Sequence, residues 1–188
     1  MAGTLLVGDV HGCADELGEL LTLVAPSRVI LLGDLFTKGP DPLGVWNLVE
    51  DWEAEAVLGN QDIDVLETWL PGERLPRRAF KWLRERPLTL EGEDWIAVHA
   101  ALHPDGPEHT KRKLATGMKS LKHGAWQELW RGPPLVVHGH SPHRGLLDRR
   151  PDTLGLDTGC VRGGRLTGWL AEKNRLVSVP ALRDWTRD

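Results

Sequence analysis

Three short apolar runs in this chain each close on a glycine followed by an acid or its amide. Thr4-Leu5-Leu6-Val7 leads into Gly8-Asp9, Arg28-Val29-Ile30-Leu31-Leu32 into Gly33-Asp34, and Ala56-Val57-Leu58 into Gly59-Asn60. Runs of Leu and β-branched residues this short, ended by glycine, read as buried strands. Turn chemistry alone sets Gly beside Asp or Asn, but it does not require a strand before it. The recurrence therefore points to several strand ends that each deliver a polar side chain. Between the runs, Leu17, Leu20, Leu21 and Val24 stand at helical spacing within residues 13–24 before Pro26, and residues 42–52 carry a second helical pattern.

Histidines continue the theme in the second half. Trp95-Ile96-Ala97-Val98 is predicted as a strand that delivers His99, and Pro134-Leu135-Val136-Val137 runs into His138-Gly139-His140. Residues 76–86 read as a basic helix, 87–93 carry strand and turn signals, and a longer helix is expected over roughly 108–130. The last third reads as antiparallel hairpins: Thr153 to Asp157, a Gly163-Gly164 turn, then Leu166 to Leu170 and Arg175 to Val179. Alternating strands and helices make this an α/β chain, and with no repeat or low-complexity linker, residues 1–188 are expected to form one domain.

Composition narrows the function. The net charge of −4 exerts no general pull toward nucleic acid or an anionic membrane, so neither is an expected partner. No long apolar run or cleavage-type signal stands at the N-terminus, which predicts a cytoplasmic protein. Cys13 and Cys160 are too few for a zinc ribbon or a disulfide framework and read as packing thiols.

In Gly8-Asp9-Val10-His11-Gly12, one residue separates the carboxylate from the imidazole, a spacing that in extended chain sets both on one side. Taken alone, that string fits equally a turn whose Asp caps the next helix. Together, Asp9, His11, Asp34, Asn60, His99 and His140 form an oxygen and imidazole set with no thiolate, suited to Mn, Fe, Zn, Co or Ni. Six donors exceed what one ion takes while leaving room for substrate, so two divalent ions sharing a carboxylate are expected, with manganese first. Their charge outweighs the two carboxylates and favours an activated hydroxide and an anionic substrate, the setting for phosphoryl transfer to water.

Gly8-Asp9-Val10-His11-Gly12, Gly33-Asp34-Leu35-Phe36-Thr37-Lys38-Gly39, Gly59-Asn60-Gln61-Asp62, Val98-His99-Ala100, Gly139-His140-Ser141-Pro142 and Leu156-Asp157-Thr158-Gly159-Cys160 resemble, in order, the motifs of the calcineurin-like metallophosphoesterases. The likeness is strongest to the phosphoprotein phosphatase and bacterial diadenosine tetraphosphatase branch, and runs from residue 8 to about 168. It implies a four-layer α/β/β/α sandwich, with Asp9, His11 and Asp34 on one ion and Asp34, Asn60, His99 and His140 on the other. It also exposes departures. Where the family has a second Asp and an Arg, this chain has Thr37 and Lys38; where the family has a proton-donating His, it has Gln61. Neither Thr nor Gln donates a proton near neutral pH, so Gln61 is left to hydrogen-bond a leaving group. Lys38 keeps the charge but not the bidentate fork of Arg.

The resemblance also implies a second phosphate-binding Arg from the stretch between His99 and His140, where Arg131 stands, so Gln61, Lys38 and Arg131 are the candidate catalytic residues, and Lys38, Arg131 and Arg162 the candidate substrate-binding ones. His103, His138 and His143 are possible displaced acids, read first as surface or supporting histidines. Lys111, Arg112, Lys113, Lys119 and Lys122 read as a solvated basic face, with a polyanion-gathering rim as the alternative. The expected activity is hydrolysis of phosphoesters or phosphoanhydrides, the substrate being a phosphorylated small molecule, a nucleotide or a phosphoprotein. The rivals are a metal-binding but catalytically impaired regulatory protein, and a nuclease or RNA-end phosphatase.

Overall fold

The structure is a computed structural model that describes residues 2–117, 120–121, 124–142 and 145–187. The first half runs β1 (Ala2–Val7), α1 (Ala14–Val24), β2 (Pro26–Leu31), α2 (Pro42–Asp51), β3 (Glu55–Ala56), α3 (Asn60–Thr68) and α4 (Arg77–Arg84). The second half runs β4 (Thr89–Glu91), β5 (Trp95–Val98), α5 (Arg112–Gly117), β6 (Ser120–Leu121), β7 (Gly124–Ala125), α6 (Trp126–Leu129), β8 (Leu135–His138), β9 (Leu147–Arg149), β10 (Thr153–Gly155), β11 (Arg165–Leu170) and β12 (Arg175–Pro180).

Two five-stranded sheets carry the fold, in the orders β12-β11-β1-β2-β3 and β4-β5-β8-β10-β9. Strand periodicity explains how they stack, because successive side chains point to opposite faces. In β1, Leu6 joins Ile30, Val137, Leu154 and Trp169 between the sheets, while Leu5 and Val7 face α1 and its Leu17, Leu20 and Leu21. In β5 and β8, Trp95, Ala97, Leu135 and Val137 turn inward, and Ile96, Val98 and Val136 pack outward on Leu114 of α5 and Trp126 of α6. Helix, sheet, sheet and helix layers result: an α/β fold of the expected four-layer kind. No helix among the described residues is long and apolar enough to cross a membrane.

Parallel pairing positions the site. β1, β2 and β3 run parallel in one sheet, and β5, β8 and β10 run parallel in the other. Their carboxyl ends release Asp9, Asp34, Asn60, His99, His140 and Asp157 at one edge of the sandwich.

Two expectations are corrected, and one stretch to which the sequence assigns no element proves helical. The helix expected over 108–130 is broken: a 3₁₀ turn at Pro107–His109, α5, the β6–β7 pair and α6 take its place. Gly117 and Gly124 interrupt the helical periodicity, and glycine costs a helix interior roughly 1 kcal/mol. The segment Gly59 to Trp69 is mostly the helix α3, because Asp62 caps its first turn by accepting from the Gly59 amide at 3.0 Å. Finally, Thr153–Gly155 is no hairpin arm of β11; it pairs parallel with β8 and antiparallel with β9. β9 and β10 form one antiparallel hairpin, and β11 and β12 form the C-terminal one.

Candidate metal centre

The Gly-Asp pattern has a local steric cause. Gly33 has φ +88°, and a Cβ there would lie 2.7 Å from the Gly59 amide nitrogen and 3.0 Å from His99 Nδ1. A Cβ on Gly139 would lie 2.1 Å from Asp9 Oδ1, where the His140 amide now donates to that carboxylate at 2.9 Å. Glycine is thus the residue that lets each strand end approach the next. His11, Asp34, Lys38 and His140 all adopt left-handed backbone, at φ 49°, 55°, 68° and 69°. Such conformations cost non-glycine residues of order 1–3 kcal/mol each and persist where surroundings enforce them. His11 therefore reaches Asp9 by a left-handed turn; extended-chain alternation is not the cause.

Two donor groups result: Asp9, His11 and Asp34, and Asp34, His99 and His140, each with its ligand atoms within 4.8 Å of one another. Asp34 belongs to both. His11 Nε2 stands 3.9 Å from Asp9 Oδ2 and 3.7 Å from Asp34 Oδ2; His99 Nε2 is 3.4 Å from Asp34 Oδ1, 3.1 Å from Asn60 Oδ1 and 3.2 Å from His140 Nδ1. Buried Asp62 supports the shared carboxylate by accepting from the Asp34 and Leu35 amides at 2.8 and 2.9 Å, while the Gln61 amide donates to Asp34 Oδ1 at 2.8 Å. His99 Nδ1 lies 2.7 Å from the Leu32 carbonyl, so that nitrogen holds the proton and Nε2 offers its lone pair to the cluster.

Electrostatics show that these residues suit cations. Burial, then the charges of Asp157 and Asp34, holds the Asp9 carboxyl well above its ordinary range. Burial raises Asp34 and Asp157 to about 6 each. Burial also lowers His11 to about 3, aided by the Lys38 charge, and His99 to about 4, leaving both imidazoles neutral as a ligand must be. The Lys38 ammonium, 3.5 Å from His11 Nε2, is itself a cation seated against this donor set.

The signs yield a pH prediction. Raised carboxyls bind more protons in the fold than in the unfolded chain, so their contribution to stability falls as pH rises from about 4 through about 6. The lowered imidazoles act oppositely, adding stability as pH rises from about 4 to about 6.5. An incoming cation must displace protons from Asp34 and Asp157 near pH 5 but not near pH 7.5. Mn²⁺ is therefore expected to raise the melting temperature of metal-stripped protein more at about pH 7.5 than at about pH 5. Equal shifts would remove these carboxyls from the binding reaction.

A pocket opens over the cluster, lined by Asp9, His11, Asp34, Lys38, Asn60, His140, Asp157 and Arg162 among others. His99 lies behind it, fully buried. Lys38 and Arg162 thus stand where the sequence led one to look for substrate contacts. Arg131 does not. It precedes β8, at the opposite end of that strand from His140, and its Nη1 donates to the neighbouring Trp130 carbonyl at 2.8 Å. β8 runs parallel to β5, so whatever immediately precedes it falls at the far edge of the sheet. Gln61 is not part of the pocket lining, and its Nε2 donates to Asp64 Oδ2 at 3.1 Å.

His138 is packed edge-on against Trp126, with ring centroids 5.1 Å apart, and His103 Nδ1 accepts from the Asp105 amide; neither lines the pocket. His143, Lys119 and Lys122 lie outside the described residues. Lys111, Arg112 and Lys113 are exposed at the start of α5. Cys13 and Cys160 are buried. Asp157 and Asp62 received no role from sequence reasoning. The signal for Asp157 was present, since Leu154-Gly155-Leu156-Asp157 repeats the strand-then-acid pattern.

The sequence model of the family described as calcineurin-like phosphoesterase matches residues 4–176. The symmetrical bis(5'-nucleosyl)-tetraphosphatase of Ralstonia nicotianae is 27% identical over 263 residues, covering 95% of this chain and 90% of the relative. Its counterpart from Aeromonas hydrophila is 26% identical over 262 residues, covering 93% and 96%. Among solved structures, one presented as a candidate diadenosine tetraphosphatase superposes with a TM-score of 0.85 at 31% identity, covering 95% of this chain and 93% of the other. A metallophosphoesterase from Sphaerobacter thermophilus shares the fold at a TM-score of 0.65 and 18% identity, covering 96% and 88%.

Proposed function

Because the chain belongs to the calcineurin-like phosphoesterase family, we propose that its strand-end cluster holds two divalent cations and hydrolyses the phosphoanhydride bonds of dinucleoside polyphosphates. The observation that carries this reading is the shared carboxylate: Asp34 stands in both donor groups, as a ligand common to two ions must. One ion falls to Asp9, His11 and Asp34, the other to Asp34, Asn60, His99 and His140, and manganese suits this oxygen and imidazole set. When bound, such a pair lowers the pKa of water and neutralises charge developing on phosphorus-bound oxygens.

The chain's own groups do the rest. Lys38 and Arg162 line the pocket with fixed positive charge and orient the phosphate. Asp62 and the Gln61 amide hold Asp34 in place. A phosphoanhydride is favoured over phosphoserine because Thr37 and Gln61 supply no proton to a leaving oxygen, and a departing nucleotide phosphate needs one least. The names of the relatives point to the same substrate class. We place this activity in the cytoplasm, on a single domain.

The test is turnover. Metal-stripped protein should be inert and should hydrolyse a dinucleoside tetraphosphate once Mn²⁺ is restored. Tight Mn²⁺ binding with no hydrolysis of any nucleotide or aryl phosphate would favour the rival, a metal-binding regulator whose Thr37 and Gln61 mark lost catalysis.

A further inference from the structure

Thr37 lies beside His11, and Gln61 beside Thr37. His11 Nδ1 is 3.2 Å from Thr37 Oγ1; the Thr37 hydroxyl donates to Gln61 Oε1 at 3.4 Å; and Gln61 Nε2 donates to Asp64 Oδ2 at 3.1 Å. The direction of this chain follows from what each group is able to do. A carboxylate only accepts, so Asp64 turns the amide nitrogen of Gln61 toward itself and the amide oxygen toward Thr37. That oxygen takes the single hydroxyl proton of Thr37. The Thr37 oxygen is then left to accept, and its partner, His11 Nδ1, must carry the proton. His11 Nε2 is thereby unprotonated and faces Asp9 and Asp34, at 3.9 and 3.7 Å.

We infer that Thr37 and Gln61 are positioning residues: together with Asp64 they fix the tautomer and ring orientation of His11, so that its Nε2 lone pair is held ready for a divalent cation. The inference rests on the reading above that Asp9, His11 and Asp34 take such a cation. Two observations make the chain more than incidental. His11 sits in left-handed backbone at φ 49°, a conformation that a non-glycine residue keeps only where its surroundings enforce it. His99 obtains the same tautomer independently, from the Leu32 carbonyl at 2.7 Å. Both cation positions are thus served by an imidazole whose other nitrogen is engaged, one by backbone and one by side chains. Outer partners of this kind are worth about 10- to 100-fold in metal affinity.

The experiment compares wild type with Thr37→Val, Thr37→Ser and Gln61→Met. Histidine side-chain ¹H–¹⁵N spectra of metal-stripped protein report the His11 tautomer, and calorimetric Mn²⁺ titration reports affinity and stoichiometry. Wild type and Thr37→Ser should show the Nδ1-protonated form of His11. Thr37→Val should show a tautomer mixture and a roughly 10- to 100-fold weaker affinity at one of two cation positions, with the other unchanged. Gln61→Met should fall between. A Thr37→Val protein that keeps both the tautomer and the affinity would overturn the inference, as would a wild type with His11 protonated on Nε2. A wild type that shows the expected tautomer but binds no Mn²⁺ would instead defeat the cation assignment, leaving the hydrogen-bond chain standing.

Discussion

Asp34→Asn is expected to remove metal and activity together. Asp34 is the residue common to both donor groups, and its carboxylate is 2% exposed, with the Gln61 amide on one oxygen. The amide substituent preserves the shape but halves the charge that Asp9 and Asp34 offer, and it replaces one ligand oxygen with a nitrogen that has no lone pair for a cation. Loss of an outer partner alone costs about 10- to 100-fold in affinity, so loss of the shared ligand should exceed ~100-fold for both ions. Calorimetric Mn²⁺ titration beside a turnover assay reads this directly. The two effects should coincide: a variant that bound two ions tightly and turned over at the wild-type rate would show that Asp34 bridges nothing.

The second large effect concerns the leaving group. A serine alkoxide is a strong base and needs a proton as its P–O bond breaks, whereas a nucleotide phosphate or a nitrophenolate departs as a far weaker base. General acid catalysis supplies roughly 10²- to 10⁴-fold. With Thr37 and Gln61 engaged with each other, His11 and Asp64, that contribution is missing. Rates across phosphate esters of graded leaving-group pKa should therefore fall steeply as the leaving group becomes more basic. The double change Gln61→His with Thr37→Asp should flatten the dependence and rescue phosphoserine hydrolysis by a factor in that range. Because Asp at position 37 also accepts from His11 Nδ1, metal binding should survive the change. A wild type that cleaved phosphoserine peptides as fast as aryl phosphates would contradict this account of Thr37 and Gln61.

Much of the cluster was legible because the information is local. An apolar run, a glycine and an acid or amide specify a strand end and deliver Asp9, Asp34 and Asn60, while His99 and His140 are placed by the apolar runs that precede them. What failed was less local. His11 was matched to its partner by extended-chain alternation, yet it arrives through a left-handed turn that depends on the backbone of Leu35 and Asp34, which accept from the Gly12 and His11 amides at 2.7 and 2.8 Å. Arg131 was tied to the phosphate by its place in the order of motifs, but strand direction carries it to the opposite edge. The interrupted region from 108 to 130 misled because an average helical pattern conceals where Gly117 and Gly124 break it. The supporting roles of Asp62, Thr37 and Gln61 depend on contacts across 3 to 28 positions of sequence, which no single-strand pattern encodes.

The proposed function makes a pair of divalent cations on this strand-end cluster the source of the phosphohydrolase activity. It is met most directly by titrating metal-stripped protein with Mn²⁺ while following hydrolysis of a dinucleoside tetraphosphate. Turnover is expected to appear with the ions and to reach its plateau at two per chain. Saturation at two ions without turnover, or full turnover in protein that binds none, would contradict it.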